Sequence, residues 1–389
     1  MSTLLALWEK LPSGLRNSVK ALPGSEWLKV RVAGTPKHPP IASGERRAVV
    51  YLPTWARWDV MRQRPQYLLA AFAAAGYDVY FVDPRESKAR IQDGVRIVTS
   101  IRQVPAGGVI LYVHFAPLRH MFERFNDALV VYDLLDDLSI YDSSEEGLPK
   151  ERRVTAHHPH VMKEATVVTV SNEVLLERHQ AERDDLILVP NGVDVARFSR
   201  REPRPVDLAE QDPDRPVIGY HGAIAEWFDF DLLTSVATAR PDWDFVLVGP
   251  VDPAVADQAA ALERLPNVRL LGERPSGEMP AYVQAFDVGA IWFQVNTMTE
   301  GVTPLKMYEF LAAGVPCVST PLPACVAEAA VATAADLDGF VDALEEALSQ
   351  APGEASQSAQ DEIARLHSWE SHLQPVLDRL AAEGLDRSR

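Results

Sequence analysis

The run Asp287-Val-Gly-Ala-Ile-Trp-Phe293, followed by Asn296-Thr-Met-Thr-Glu-Gly-Val-Thr-Pro-Leu-Lys-Met-Tyr-Glu-Phe-Leu-Ala-Ala-Gly-Val-Pro316, holds the fold in miniature. An apolar segment of strand length leads into a polar loop and then into a short helix. Thr303 suits the N-cap, where its hydroxyl can accept a free backbone N–H. Pro304 suits the first helical position and Gly314 the residue past the helix end. The unpaired N–H groups of Leu305 and Lys306, with the positive end of the helix dipole, make an anion site. Lys306 adds a full charge, and Glu309 follows less than one turn later. An anion joined to a polyhydroxyl group suits such a place, and a nucleoside diphosphate is one such ligand. The same residues also allow a plain Thr-Pro helix start with a solvated i,i+3 pair.

Outward from this stretch, short apolar runs alternate with helical ones. Ala48–Leu52, Tyr77–Val82, Val95–Thr99, Val109–Phe115, Leu129–Tyr132, Thr166–Val170 and Leu186–Val189 read as strands. Val217–Tyr220, Phe245–Val248, Val268–Leu271, the strand before the opening loop and Cys317–Ser319 repeat the pattern. Strand–helix–strand alternation implies parallel sheets with right-handed crossovers. The expected organisation is therefore α/β: two doubly wound Rossmann-like domains facing one another, at residues 46–200 and 216–360. A polar linker spans 201–215, a helical arm 1–45, and a C-terminal helix 361–389. In such sheets ligands collect at the carboxyl ends of the strands.

Composition sets limits. The chain has 389 residues, 47% of them apolar and 24% charged, as in ordinary globular proteins. No run is long and apolar enough to span a bilayer. Two cysteines, Cys317 and Cys325, are too few for a disulfide framework or a thiolate metal site and fit a reducing, cytoplasmic setting. A formal charge of −17 argues against nucleic-acid binding. Residues 1–45 run the other way, with six basic and three acidic groups among Leu and Trp. That pattern suits either an arm lying on the body of the protein or peripheral contact with an anionic membrane face.

Nucleotide fingerprints such as G-x-G-x-x-G after the first strand or a Walker loop are missing, and so is the G-x-S-x-G elbow. His114 ends the strand Val109–Phe115, and Asp133, Asp136 and Asp137 follow another strand, where carboxylates hold sugar hydroxyls, hold a metal, or cap a helix. His157, His158 and His160 lack the spacing of a helical zinc pair. The turns Val189-Pro-Asn-Gly-Val-Asp194, with Asn191, Gly219-Tyr-His-Gly-Ala-Ile224, with His221 and Gly222, and Leu271-Gly-Glu-Arg274 would face one cleft with the opening loop.

Taken together, VPNGVDVARF (189–198), GYHGAIAEW (219–227), DWDFVLVGP (242–250), NVRLLGERP (267–275) and residues 285–320 resemble the GT-B glycosyltransferases, specifically the retaining family 4 group. RPQYLLAAFAAAGYDVYFVD (64–83), VHFAP (113–117) and VYDLLDD (131–137) extend the resemblance through the first half. It implies a nucleotide-sugar donor in the second domain, a sugar or lipid-linked hydroxyl acceptor in the first, and no metal or further cofactor. It also implies that Glu309 holds the ribose, that Thr303, Pro304 and Lys306 meet the diphosphate, that Gly272 to Arg274 meets the base, and that His114 approaches the donor sugar. UDP-sugars are the expected donors and a cell-surface polysaccharide the expected product, made at the inner membrane face. A sugar-nucleotide 2-epimerase and an inactive scaffold share the architecture.

Three places depart from the family. The usual glutamate eight positions before Glu309 is Gly301, which leaves Glu300, Asn296 and Thr299 to reach the sugar. The usual Arg and Lys after the first strand of the second domain are replaced by acids, Glu226 and Asp229. The glycine-rich loop after the first strand is replaced by Trp55, Arg57, Trp58, Arg62 and Arg64. The expectation is that Arg62 or Arg64 supplies the missing positive charge across the cleft.

Overall fold

The computed structural model describes residues 35–38, 48–54, 56–59, 62–138, 153–209, 211–349, 362–363 and 365–383. The arm expected at 1–45, apart from 35–38, and the loop residue Trp55 lie outside the described residues.

The first sheet holds β1 (Ala48–Tyr51), β2 (Asp78–Val82), β3 (Arg90–Gln92), β4 (Val95–Val98), β5 (Val109–Val113), β6 (Leu129–Leu134), β7 (Val167–Val170) and β8 (Ile187–Leu188). The second holds β9 (Val217–His221), β10 (Asp244–Val248), β11 (Val268–Gly272), β12 (Val288–Ile291), β13 (Cys317–Ser319) and β14 (Val331–Thr333). Their orders are β3-β4-β2-β1-β5-β6-β7-β8 and β11-β10-β9-β12-β13-β14. Every pairing is parallel except β3 with β4. Central strands such as β1, β5 and β9 are buried along their whole length, because helices cover both faces. This explains why they read as unbroken apolar runs rather than as alternating ones.

Two elements escaped the sequence reading. β3 and β4 form a hairpin closed by Asp93 and Gly94, both with positive φ. Asp-Gly is the two-residue signal for such a turn, and it stands in the chain at Asp93-Gly94. β14 has three residues of which only Val331 is buried, so no apolar run marks it, unlike the fully buried and equally short β13.

The domain boundary moves. Val193, Phe198 and Leu208 are buried in the core of the second domain, whereas Val189 belongs to that of the first. The chain therefore crosses at Pro190–Gly192, ahead of the expected boundary at 200. Much of the expected linker 201–215 belongs to the second domain as well: Leu208 is fully buried. Its polar neighbours concealed one apolar anchor. At the other end, Ile363 packs in the second core, while Trp369, Leu373, Val376, Leu377 and Leu380 pack in the first. The helix Trp369–Ala382 thus lies against Arg64–Ala74, with Trp369 stacked on Tyr67 at 5.2 Å.

Candidate functional site

Between the domains lies a cavity of about 570 Å³. The carboxyl ends of β9 and β10, the loop after β12 and the helix Leu305–Ala312 form one wall; the start of the helix Arg64–Ala74 forms part of the other. β9 is the strand from which the order runs both ways, so this is the switch point of the second sheet.

The helix Leu305–Ala312 starts one residue later than expected. Pro304 (φ −66°, ψ 120°) is the N-cap and not the first helical residue, and no side chain caps the helix. Thr303 is therefore not the cap; its carbonyl accepts instead from Asn191 Nδ2 at 2.7 Å. A helix cannot satisfy its own first N–H groups, so those of Leu305 and Lys306 face the cavity that both residues line. The far end is as expected. Gly314 N–H donates to Leu311 O and Val315 N–H to Phe310 O, the paired bonds of a Schellman stop.

Lys306 reaches from this start over aromatic faces, its Nζ 4.5 Å from the Phe293 ring centroid and 4.9 Å from that of Tyr220. Among the described residues no carboxylate lies within ion-pairing distance of it. Burial pulls its pKa down to about 8. Gly222 explains how it fits: φ is +118°, and a Cβ there would sit 3.2 Å from Lys306 Cε and 3.4 Å from Nζ. Only a residue without Cβ adopts this backbone freely and leaves the lysine its channel.

Glu309 is buried on the cavity wall. Tyr67 of the first domain donates to its Oε1 at 3.1 Å, and His221 Nε2 lies 3.3 Å from Oε2 without good hydrogen-bond alignment. Burial raises the Glu309 pKa, opposed by the charges of Arg197 and Lys306 and the Tyr67 hydrogen bond. His221 is held down to about 3, by burial first and Lys306 second, and is neutral. Thr299 and Arg274 also line the cavity. Thr299 spends its hydroxyl on Gln294 O at 2.5 Å. Arg274 pairs with Asp207 at 3.0 Å and donates to Tyr282 Oη at 3.0 Å.

Several expected site residues do not reach this wall. Asn296 turns its Oδ1 onto the N–H groups of Met298 and Thr299, closing its own loop. Glu300 is exposed and outside the lining. Neither is placed to touch a ligand in the cavity, because the loop's own hydrogen bonds fix its shape. His114 also lies off the lining. Its Nδ1 is 3.0 Å from Tyr51 Oη, its ring stacks on Tyr51, and burial lowers its pKa to about 4.

The expected cross-cleft cations need correction too. Arg64 lines the cavity, but its guanidinium grips Asp133 through two bonds, 2.8 and 2.9 Å, and Asn191 Oδ1 at 3.3 Å. Its charge is matched within the first domain. Asp133 is correspondingly no ligand for a metal or sugar: it is fully buried and accepts from Arg64, Thr169 and Tyr112. Burial alone would raise the Asp133 pKa, yet Arg64 and the other donors bring it below the ordinary value. Arg62 lies on the wall over the Tyr67 ring at 4.8 Å, paired with Asp93 of the β3–β4 turn at 2.7 Å. Arg197 was missed. It projects into the lining from the helix Val195–Ser199 and acts electrostatically on Glu309. It stands within the quoted VPNGVDVARF, whose turn at 189–194 carries the local signal, while no local spacing aims Arg197 at the cleft.

Residues 215–350 match the family model described as glycosyl transferases group 1. This part of the chain is thus similar to a group 1 glycosyltransferase domain. Over 87% of the chain the fold is that of the GT-B glycosyltransferases. Sucrose-phosphate synthase from Thermosynechococcus elongatus superposes with a TM-score of 0.63 at 16% identity, covering 87% of this chain and 100% of that one. HepE of Anabaena, solved with UDP and glucose, gives 0.62 at 13% identity over 87% and 100%. TuaH of Bacillus subtilis, assigned as a teichuronic acid biosynthesis glycosyltransferase, is 29% identical over 261 residues. That match spans 64% of this chain and 66% of TuaH. The matched stretch contains the helix start, Lys306 and Glu309, and so most of the cavity wall.

Proposed function

We propose that this chain is a retaining glycosyltransferase that moves a sugar from a nucleoside diphosphate sugar to a hydroxyl acceptor in cell-surface polysaccharide synthesis. The observation that carries the reading is the pairing of an uncapped helix start with Lys306, whose ammonium has no carboxylate partner among the described residues. Lys306 is half-buried, and a cation drawn out of water without a counter-ion favours binding an anion. A diphosphate supplies that anion, and the N–H groups of Leu305 and Lys306 meet its oxygens.

Glu309 sits about one turn beyond, where a ribose joined to that diphosphate comes within reach; its carboxylate accepts from vicinal hydroxyls as it now accepts from Tyr67. Arg274 and the end of β11 border the base. As the glycosidic bond to phosphate breaks, negative charge grows on the leaving diphosphate, and the fixed helix start and Lys306 stabilise it more than they did the intact donor. The acceptor hydroxyl attacks from the side lined by Arg62 and Arg64, on the face the phosphate leaves, and its proton passes to the departing phosphate oxygen, so configuration is retained. The likeness of HepE, solved with UDP and glucose, supports uridine as the base, and that of TuaH supports a surface polysaccharide. Contact of residues 1–45 with the inner membrane face belongs to the same reading.

The test is a thermal-shift screen of nucleotides and nucleotide sugars, followed by product analysis. UDP and one UDP-sugar are expected to raise Tm selectively. Free nucleoside diphosphate is expected to appear only with an acceptor present, and proton NMR is expected to show the donor's anomeric configuration kept. A protein that no nucleotide stabilises would overturn the reading.

A further inference from the structure

Outside the cleft, the described residues hold one group of three metal-ligand side chains: His158, His179 and Glu182, whose donor atoms lie within 4.8 Å of one another. The sequence drew attention to His157, His158 and His160. The fold turns His158 inward and brings to it two residues the sequence keeps apart, His179 from the end of the helix Glu173–His179 and Glu182 from the turn after it.

The geometry is specific. His158 is 3% exposed. Its Nδ1 stands 3.0 Å from Tyr132 Oη, which leaves Nε2 pointing at the cluster. That Nε2 is buried and has no hydrogen-bond partner; the nearest charged atom is Glu182 Oε2 at 3.5 Å. His179 Nδ1 is 2.8 Å from Glu182 Oε1, and the two imidazoles meet edge to face at 5.1 Å. A buried polar atom without a partner is uncommon and calls for a ligand. Two metal bonds of about 2.0–2.1 Å span at most about 4.2 Å, so the His158–Glu182 separation already suits a shared ion. Tyr132 is placed as the outer partner that fixes a ligating imidazole's tautomer.

We propose that His158, His179 and Glu182 bind one divalent transition-metal ion of the zinc class, with solvent completing its shell through the exposed side at Glu182. None of the three lines the interdomain cavity. The ion would tie the helix Val154–Glu164 to the helix Glu173–His179 across the end of β6, so its effect is on the first domain's stability and not on the donor site.

The experiment uses the untagged full chain, stripped with chelator, dialysed, and titrated with Zn(II) by calorimetry and with Co(II) by visible absorption. One ion per chain is expected, with the intense d–d bands of low-coordinate Co(II). Tm should rise by about 5 °C at a hundredfold excess over Kd. Glu182→Gln and His179→Ala should each weaken binding at least tenfold. Glu182→Gln should leave the Tm of the metal-free protein unchanged, since that side chain is exposed, and His160→Ala should leave binding unchanged. Absence of saturable binding would overturn the proposal, as would binding that survives both Glu182→Gln and His179→Ala. Either result leaves the nucleotide screen, and the transferase reading, untouched.

Discussion

Lys306 is the residue whose surroundings differ most from what its neighbours in sequence suggest. Beside Glu309 it reads as half of an ion pair, yet its ammonium points away, over Phe293 and Tyr220. Removing it should therefore cost donor affinity rather than fold. Lys306→Ala is expected to weaken nucleoside diphosphate binding about 10–100-fold by calorimetry, with little loss of Tm. The same lysine sets a pH dependence. Its pKa in the free protein is about 8, below the ordinary lysine value, because burial penalises the charged form. A bound anion favours that charged form. Affinity should be flat below about pH 8 and fall about tenfold per unit above it, until the pKa of the complex is reached. A flat profile from pH 7 to 10 would contradict a role for this ammonium.

Arg64 shows the opposite case. It looked like a free cation for the cleft, but its partner Asp133 lies 69 positions away, and no sequence pattern pairs the two. Arg64→Ala leaves a buried carboxylate uncompensated, and a loss of about 3–5 kcal/mol in denaturant unfolding is expected. Loss of donor affinity in that variant would thus be secondary to lost stability. The linked pH effect follows from the lowered pKa of Asp133. Its contribution to stability is present above the ordinary carboxylate range. It is lost as pH falls through the folded-state value, so the wild type should lose more stability on acidification than an Asp133→Asn variant.

Among elements, those with strong local signals were legible. The helix Phe230–Ala239 begins where Asp229 can cap it, and Asp229 Oδ1 accepts from Leu232 N–H at 2.9 Å. Buried parallel strands stood out as apolar runs because both faces are covered. The helix Leu305–Ala312 starts one residue later than the sequence suggests, since Thr-Pro allows either residue to cap: Asn191 holds the Thr303 carbonyl, and Pro304 is the extended N-cap. Local patterns carry no term for such a contact. They also could not show that Asn296 would spend its side chain on its own loop. The C-terminal helix was legible by its amphipathic spacing, and the family likeness said where it docks. Its anchor is Trp369, stacked on Tyr67, which in turn holds Glu309. Trp369→Ala should cost about 3–5 kcal/mol of stability. It should also weaken donor binding, because Tyr67 loses the surface that fixes it. If donor affinity stayed at the wild-type value, Tyr67 would be held by other means.

On the scale of the whole molecule, two crossings join the domains, and they run side by side. Val193 N–H donates to His367 O at 2.8 Å, and Val193 bridges Ser368. Gly192 makes this possible: a Cβ there would lie 2.8 Å from His367 O and 3.0 Å from Trp369 N. Both are backbone atoms and cannot swing aside. Gly192→Ala should therefore push the crossings apart and lower turnover, while nucleoside diphosphate still binds the second domain within a few-fold of wild type. Equal losses in turnover and binding would show that the crossing shapes the donor site itself. The sequence marked Asn191-Gly192 as a turn but not as a meeting point, because the other strand of that meeting lies 175 positions away, at His367.

A pair of bodies stitched along one edge behaves like a book with a spine. Bending about the spine is soft, while sliding and twisting are stiff, since either would shear two adjacent backbones at once. The rim farthest from the stitching then moves most for any small rotation. The cavity that both leaves line therefore opens widest on the side away from the paired crossings.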